Sequence, residues 1–179
     1  VVFQDYDKGV ISAPFIDAVV KRCISAQIPV AVDPKKRNFL DYKDVTLFKP
    51  NLKELRDGLK LDYFPEGENL RMAVSQLQEM NNADIMLITL SEKGVFIRKK
   101  DNGQREEFIL PAHQRSISDV SGAGDTVISL AALGLACGML ARDLAYISNL
   151  AGGLVCESVG VVPVDRERLI REVMTSAEA

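Results

Sequence analysis

Apolar runs that close on a single polar residue recur along the first half of this chain. VVFQDY (Val1–Tyr6), IPVAVDP (Ile28–Pro34), VTLFKPN (Val45–Asn51) and DIMLITL (Asp84–Leu90) each string aliphatic or aromatic residues together with little or no alternation. That pattern marks strands covered on both faces, as in a parallel sheet. Between the runs the apolar spacing changes to threes and fours. Ala13–Gln27, with Phe15, Ala18, Val19, Arg22 and Cys23 and with Pro14 in its first turn, reads as a helix. Leu52–Leu59 and Glu68–Met80 read the same way. GVFIRKK and REEFILPA flank Asn102-Gly103 and predict a hairpin. Beyond Gly122 the pattern is helical: Ala123–Cys137, Ala141–Val159 and Arg166–Ala177.

Strands alternating with helices predict an α/β fold, a mainly parallel sheet between two helical layers. Ligands of such sheets bind beyond the carboxyl ends of the strands. This singles out Asp33 with Lys35, Asn51 with Glu54, Thr89 with Ser91, and the loop Asp119–Asp125.

Composition narrows the function classes. The chain has 179 residues, 47% of them hydrophobic, one domain's worth or one large piece of a domain. A formal net charge of -3 argues against a nucleic-acid surface or a basic membrane patch. An anionic ligand must be held locally. The most apolar stretch, Val127–Ala141, is shorter than the roughly 18–20 residues that span a bilayer and reads as a buried helix. No signal peptide is visible, and a cytoplasmic protein is expected. Cys23, Cys137 and Cys156 are widely spaced, with no CxxC and no Cys/His cluster, so reduced thiols are expected, not a disulfide framework or a zinc site. The opening VVFQDYDKG reads as a buried strand from residue 1. It suggests the C-terminal part of a longer protein, or a deliberately cut piece of one.

The stretch DVSGAGD (Asp119–Asp125) carries the densest chemistry. Gly122 and Gly124 permit a tight turn and a close approach to a ligand. A helix that starts here leaves its first N–H groups without internal acceptors and presents the positive end of its dipole to an anion. Asp125 in that first turn either stabilises the dipole or takes the proton of a hydroxyl during phosphoryl transfer. The residues alone leave both readings open.

DVSGAGD resembles the second signature of the ribokinase-like (PfkB) carbohydrate kinases. The resemblance implies a three-layer αβα fold, Asp125 as catalytic base, and the amides of Gly122, Ala123 and Gly124 as an anion hole. Ser121 stands where Thr is commoner and keeps the hydroxyl. NLKE (Asn51, Leu52, Lys53 and Glu54) is similar to the family's N-x-x-E motif near the ATP phosphates and Mg²⁺, which puts Glu54 at the metal. An N-cap Asn with a helix-face Glu would give the same letters. TLSEKG resembles a nucleotide-contacting loop, with Thr89 and Gly94 at its ends and Ser91 in place of a glycine. Asn149, with Gly152 and Gly153, matches the helix that flanks the adenine; helix packing is the other reading. Asp119, Ser121 and Gly160 match positions that hold a monovalent cation such as K⁺ in several members.

DYDKG, VDPKKRNFLDYKDVTLFKPNLKEL, TLSEKG and DVSGAGDTVI together look most like the kinase part of the heptose-7-phosphate kinases, over essentially all 179 residues. That implies transfer from ATP to the anomeric hydroxyl of a phosphorylated sugar, heptose 7-phosphate, in ADP-heptose synthesis for lipopolysaccharide. A PfkB-type kinase of ribose, fructose phosphate or a nucleoside is the nearer alternative, and a non-catalytic nucleotide-binding module the more distant one. Bifunctional relatives carry an H-x-G-H motif, whereas this chain has His113 alone, a residue of the surface or of the nucleotide's edge. Residues 1–179 then form the ATP-binding and catalytic part, without an N-terminal sugar-binding part and lid, through which the family often forms a homodimer. Asp7, Lys8 and Lys35 touch sugar or phosphate from this half or are solvated charges.

Overall fold

Six strands lie side by side in chain order in one sheet of the computed structural model, which describes residues 1–101, 104–113 and 115–177. β1 (Val2–Gln4), β2 (Ala31–Asp33), β3 (Leu47–Phe48) and β4 (Ile85–Thr89) run parallel. β5 (Val95–Asp101) and β6 (Gln104–Leu110) add an antiparallel hairpin, in register from Val95↔Leu110 to Asp101↔Gln104. The Asn102-Gly103 signal lies outside the described residues.

Among the described residues six α-helices complete the fold: α1 (Ala13–Ser25), α2 (Leu52–Gly58), α3 (Gly67–Asn81), α4 (Ala123–Ala136), α5 (Ala141–Val155) and α6 (Arg166–Ala177). Successive strand residues point to opposite faces, and the core divides accordingly. Val32, Phe48, Met86, Ile88 and Phe96 pack with Ile16 of α1, Leu55 of α2 and Leu77 of α3. Ala31, Leu47, Ile85, Leu87 and Ile97 pack with Val127 and Ile128 of α4 and Leu144 of α5. Two helical layers therefore sandwich the sheet, which is why its strands read as unbroken apolar runs. α6 joins a smaller cluster through Leu169, against Leu150 and Leu154 of α5.

Four details differ from the sequence reading. Val1 and Val2 are not buried but 50% and 45% exposed, because β1 is an edge strand. The third strand is shorter than its apolar run: the Lys49 amide still donates to Val32 O, but Pro50 has no N–H to continue the ladder. α4 is buried on one face only, and its Leu133 is exposed. α5 stops at Val155 and does not reach Val159, since the Cys156 carbonyl accepts from the amides of Ser118 and Asp119 in the loop that leads to α4. Cys23, Cys137 and Cys156 are all free thiols. No helix among the described residues is long and apolar enough to cross a membrane.

Candidate functional site

Because β1, β2 and β3 end together, their last polar residues form a row that faces the first turn of α4. Gln4 closes β1 and Asp33 closes β2; Lys49 follows β3 directly. The Gln4 side-chain amide donates to Asp33 Oδ2 at 3.0 Å and to Asp125 Oδ1 at 2.9 Å. The Tyr6 hydroxyl donates to Asp125 Oδ2 at 2.8 Å. Both oxygens of Asp125 are thus fixed by β1 and its exit. The hydrogen bond to Asp125 holds the Tyr6 phenol above its ordinary pKa, so it remains a donor. The strand exit is anchored in turn by buried Asp5, which accepts from Asn38, Tyr42 and the Asp7 amide.

Asp33 and Lys49 are 3% and 2% exposed and form an ion pair at 3.2 Å. Burial pushes the Asp33 carboxyl above the usual carboxylate range, against the pull of Lys49 and Lys35. Its Oδ1 has no hydrogen-bond partner, although Lys35 Nζ stands 3.9 Å away. Lys35 bonds instead to Glu54 Oε1. The other oxygen of Glu54 accepts the Asn51 amide at 2.9 Å, while Asn51 Oδ1 accepts the Glu54 amide at 2.8 Å, a capping box at the start of α2.

The loop before α4 ends on Gly122 in the left-handed region (φ 78°), and no side chain caps the helix. A Cβ on Gly124 would stand 3.7 Å from both Asp33 Oδ2 and Lys49 Nζ, so the backbone comes close to this buried pair. Asp119 closes the same loop. Its Oδ1 accepts from the Ser121 amide and hydroxyl, and its Oδ2 from the Gly160 amide at 2.9 Å. Those bonds, the Ser121 amide's foremost, hold its carboxyl below the usual range.

Beside the α4 N-terminus opens a cleft of about 820 Å³, within the range of small-molecule sites. Of the residues singled out from the sequence, Asn51, Leu52, Lys53, Thr89, Ser91, Gly94 and Asn149 line it, together with Ala123 and Gly124. So do Asp33, Lys35, Lys49, His113, Gly152 and Gly153. Asp125, Gly122, Glu54, Asp119, Ser121 and Gly160 do not. Gly152 also serves packing, since a Cβ there would approach Val127 Cγ2 to 2.7 Å. Burial, then nearby Arg115, lowers the pKa of His113, whose ring meets Tyr146 edge-on at 5.6 Å. Asp7 pairs with Arg37 at 2.9 Å, and Lys8 is exposed.

Gly94 turns the chain from the Ser91–Lys93 turn into β5 at φ 94°. A Cβ there would lie 2.0 Å from Leu110 O. Gly94→Ala is therefore expected to destabilise the protein by about 3 kcal/mol, through left-handed strain and overpacking together. Urea unfolding followed by circular dichroism checks this, and an unchanged midpoint contradicts it.

Sequence reasoning passed over Gln4, Tyr6 and Lys49 as site residues. Lys49 left a trace, a lysine inside an apolar strand run. Gln4 and Tyr6 sit at a strand exit but in no pattern that ties them to a residue more than a hundred positions away. Among the described residues, no group of three or more His, Cys, Asp or Glu side chains is arranged to hold a metal ion.

Comparison with known proteins gives a consistent result. Residues 10–167 match the pfkB family carbohydrate kinases. The bifunctional protein HldE of Citrifermentans bemidjiense is 36% identical over 97% of this chain and 35% of its own length. HldE of Campylobacter jejuni subsp. jejuni is 37% identical over 94% of this chain and 35% of its own length. The chain thus spans about a third of the curated relatives it matches. Among solved structures, phosphofructokinase-2 of Escherichia coli in complex with potassium superposes with a TM-score of 0.80 at 15% identity, over 93% of this chain and 53% of that one. Arabidopsis thaliana ribokinase complexed with ribose and ATP gives 0.78 at 20% identity, over 90% and 52%. These structural likenesses establish the ribokinase-like fold.

Proposed function

Since this chain belongs to the PfkB family of carbohydrate kinases, we propose that residues 1–179 are the nucleotide-binding and catalytic part of an ATP-dependent sugar kinase. Heptose 7-phosphate is its favoured acceptor. The observation that carries this reading is the placement of the α4 N-terminus. Ala123 and Gly124 line the cleft, whereas the next residue, Asp125, turns its carboxylate to β1. A donor phosphate in the cleft and an acceptor hydroxyl at Asp125 can then meet at one helix start, where in-line transfer needs them.

The parts take their roles from this geometry. Asp125, oriented by Gln4 and Tyr6, accepts the proton of the acceptor hydroxyl. The amides of Gly122, Ala123 and Gly124 and the dipole of α4 stabilise the transferring phosphoryl. Lys49 and Lys35 place positive charge at the same end of the cleft, where the phosphates of ATP would lie. Asn51, Leu52, Lys53, Thr89, Ser91, Gly94 and Asn149 line the rest of the nucleotide site. ATP, when bound, supplies the phosphoryl group. A divalent cation, Mg²⁺ in our reading, binds through one or two carboxylates plus nucleotide phosphates and needs no all-protein cage. Glu54 would hold it by giving up its bond from Lys35, and Asp33 Oδ1, which accepts no hydrogen bond and has Lys35 Nζ 3.9 Å away, is the second carboxylate oxygen nearby. The loop joining Asp119, Ser121 and Gly160 is the place for a K⁺ ion. The acceptor preference rests on the heptose-kinase resemblance and on the HldE relatives. A sugar-binding part and lid, and a dimer formed through that lid, belong to the rest of the kinase.

The nucleotide elements lie within this chain, while a sugar must be fixed by hydrogen bonds from several directions. The 179-residue chain is accordingly expected to bind Mg-ATP and to turn over heptose 7-phosphate at a rate near background. Titration calorimetry and a coupled ADP-release assay measure the two. A folded sample that fails to bind ATP removes the nucleotide-site assignment. Robust sugar-dependent turnover shows that this chain holds the whole sugar site.

A further inference from the structure

The segment between β6 and α4 carries Arg115, which lines the cleft with a side chain only 7% exposed. Its guanidinium is gripped from behind. Nη1 donates to Glu157 Oε1 at 2.6 Å, just past the end of α5, and Nη2 donates to Glu172 of α6. Arg168, one turn before Glu172 on α6, bonds to the same two glutamates, at 2.6 Å to Glu157 and 3.1 Å to Glu172. Two arginines and two carboxylates thus close a ring of charge that ties the cleft wall to the last helix. The hydrogen bonds from Arg115, foremost in each case, hold both glutamates below the usual carboxylate range.

The third guanidinium nitrogen, Arg115 Nε, is buried without an acceptor, 3.1 Å from where a Cβ on Gly153 would stand. Asn149, whose amide donates to Pro111 O at 2.9 Å in the same segment, and His113 also line the cleft, as do Lys35 and Lys49. An arginine held by two carboxylates presents a fixed, flat surface, the kind on which a heteroaromatic ring stacks. Lys49 Nζ, by contrast, stands 3.7 Å from where a Cβ on Gly124 would lie, at the start of α4 where the phosphates are placed.

We propose that Arg115 forms the wall against which the nucleotide base rests, and that Glu157, Glu172 and Arg168 are positioning residues acting through it. α6 is then part of the base site and not a peripheral cover. This inference rests on the nucleotide reading of the cleft and deepens it.

The test compares ATP with inorganic tripolyphosphate, which keeps the phosphates and lacks the base. Both are titrated in the presence of Mg²⁺ into the wild-type chain, Arg115→Met and Glu172→Gln. Thermal melting reports that each variant is folded. Glu172→Gln changes a partly exposed residue and serves if Arg115→Met does not fold. ATP affinity is expected to fall about tenfold in Arg115→Met, the scale of one lost guanidinium–ring stacking contact. A smaller loss is expected in Glu172→Gln, and tripolyphosphate affinity is expected to be unchanged in both. Equal losses for ATP and tripolyphosphate overturn the proposal, since they report general loosening. Unchanged ATP affinity in folded variants overturns it too. If the wild type binds tripolyphosphate as tightly as ATP, the base makes no contact and the proposal falls while the kinase reading stands. Binding of neither ligand removes the nucleotide site itself.

Discussion

In the complete sugar kinase proposed above, replacing Asp125 with Asn is expected to lower kcat by about 10²–10⁴-fold, the usual contribution of a positioned general base, with little change in ATP affinity. The two halves of this expectation follow from one piece of geometry. The carboxylate accepts bonds from Gln4 and Tyr6 on the β1 side and does not line the cleft. An asparagine of the same size preserves the packing of α4. It cannot take the proton of an acceptor hydroxyl, and its amide group opposes one of the two donors that orient the native carboxylate. Steady-state kinetics with saturating sugar, together with calorimetric titration of ATP, separates the effects. A variant with near-normal turnover removes Asp125 from the base role. One that loses ATP binding in proportion to rate shows that the side chain belongs to the nucleotide site.

The second large effect is on stability. Lys49→Met is expected to destabilise the fold by about 3 kcal/mol at neutral pH, because removing one partner of a buried ion pair leaves the other charge uncompensated. Lys49 and Asp33 are almost fully buried, and the Gln4 amide and the more distant Lys35 are what remain for Asp33. The pH dependence has a definite sign. Burial already raises the folded-state pKa of Asp33 above its unfolded value, and Lys49 opposes that rise. A group with a raised folded pKa favours folding below its unfolded pKa, and that contribution is lost as pH climbs through the folded value. Without Lys49 the folded pKa of Asp33 rises further. The deficit of Lys49→Met should therefore be small in acid, where Asp33 is protonated, and reach its full size at neutral pH. Urea unfolding at acid and neutral pH measures it. A deficit independent of pH would mean that lost packing of the lysine stem dominates, and a variant as stable as wild type at neutral pH would mean that the pair contributes nothing.

Much of this protein is legible in its residue pattern. Unbroken apolar runs such as Ile28–Pro34 forecast strands covered on both faces, because a strand with helices on either side has no solvent face to mark with polar residues. The alternation with helical spacing then sets the layered α/β architecture. DVSGAGD is local chemistry: two glycines, a helix start and two carboxylates within seven residues, so its character survives in one dimension. NLKE is local in the same sense, and its capping box forms between residues three apart.

What tertiary structure alone decided is where these local pieces face and what holds them. Val1 reads as core from its neighbours but lies on an edge strand, and no local pattern states the order of strands in a sheet. Asp125 is fixed by Gln4 and Tyr6, 121 and 119 residues away, and Arg115 by Glu157 and Glu172, 42 and 57 residues away. Such partners share no periodicity and meet only because parallel strands end on one line and α6 folds back against α5. Local patterning fixes which backbone a segment adopts through nearby hydrogen bonds and one buried face. The pairing of charges across the molecule depends on the burial of whole layers, and only the completed sheet brings Lys49 to Asp33 and closes water away from both.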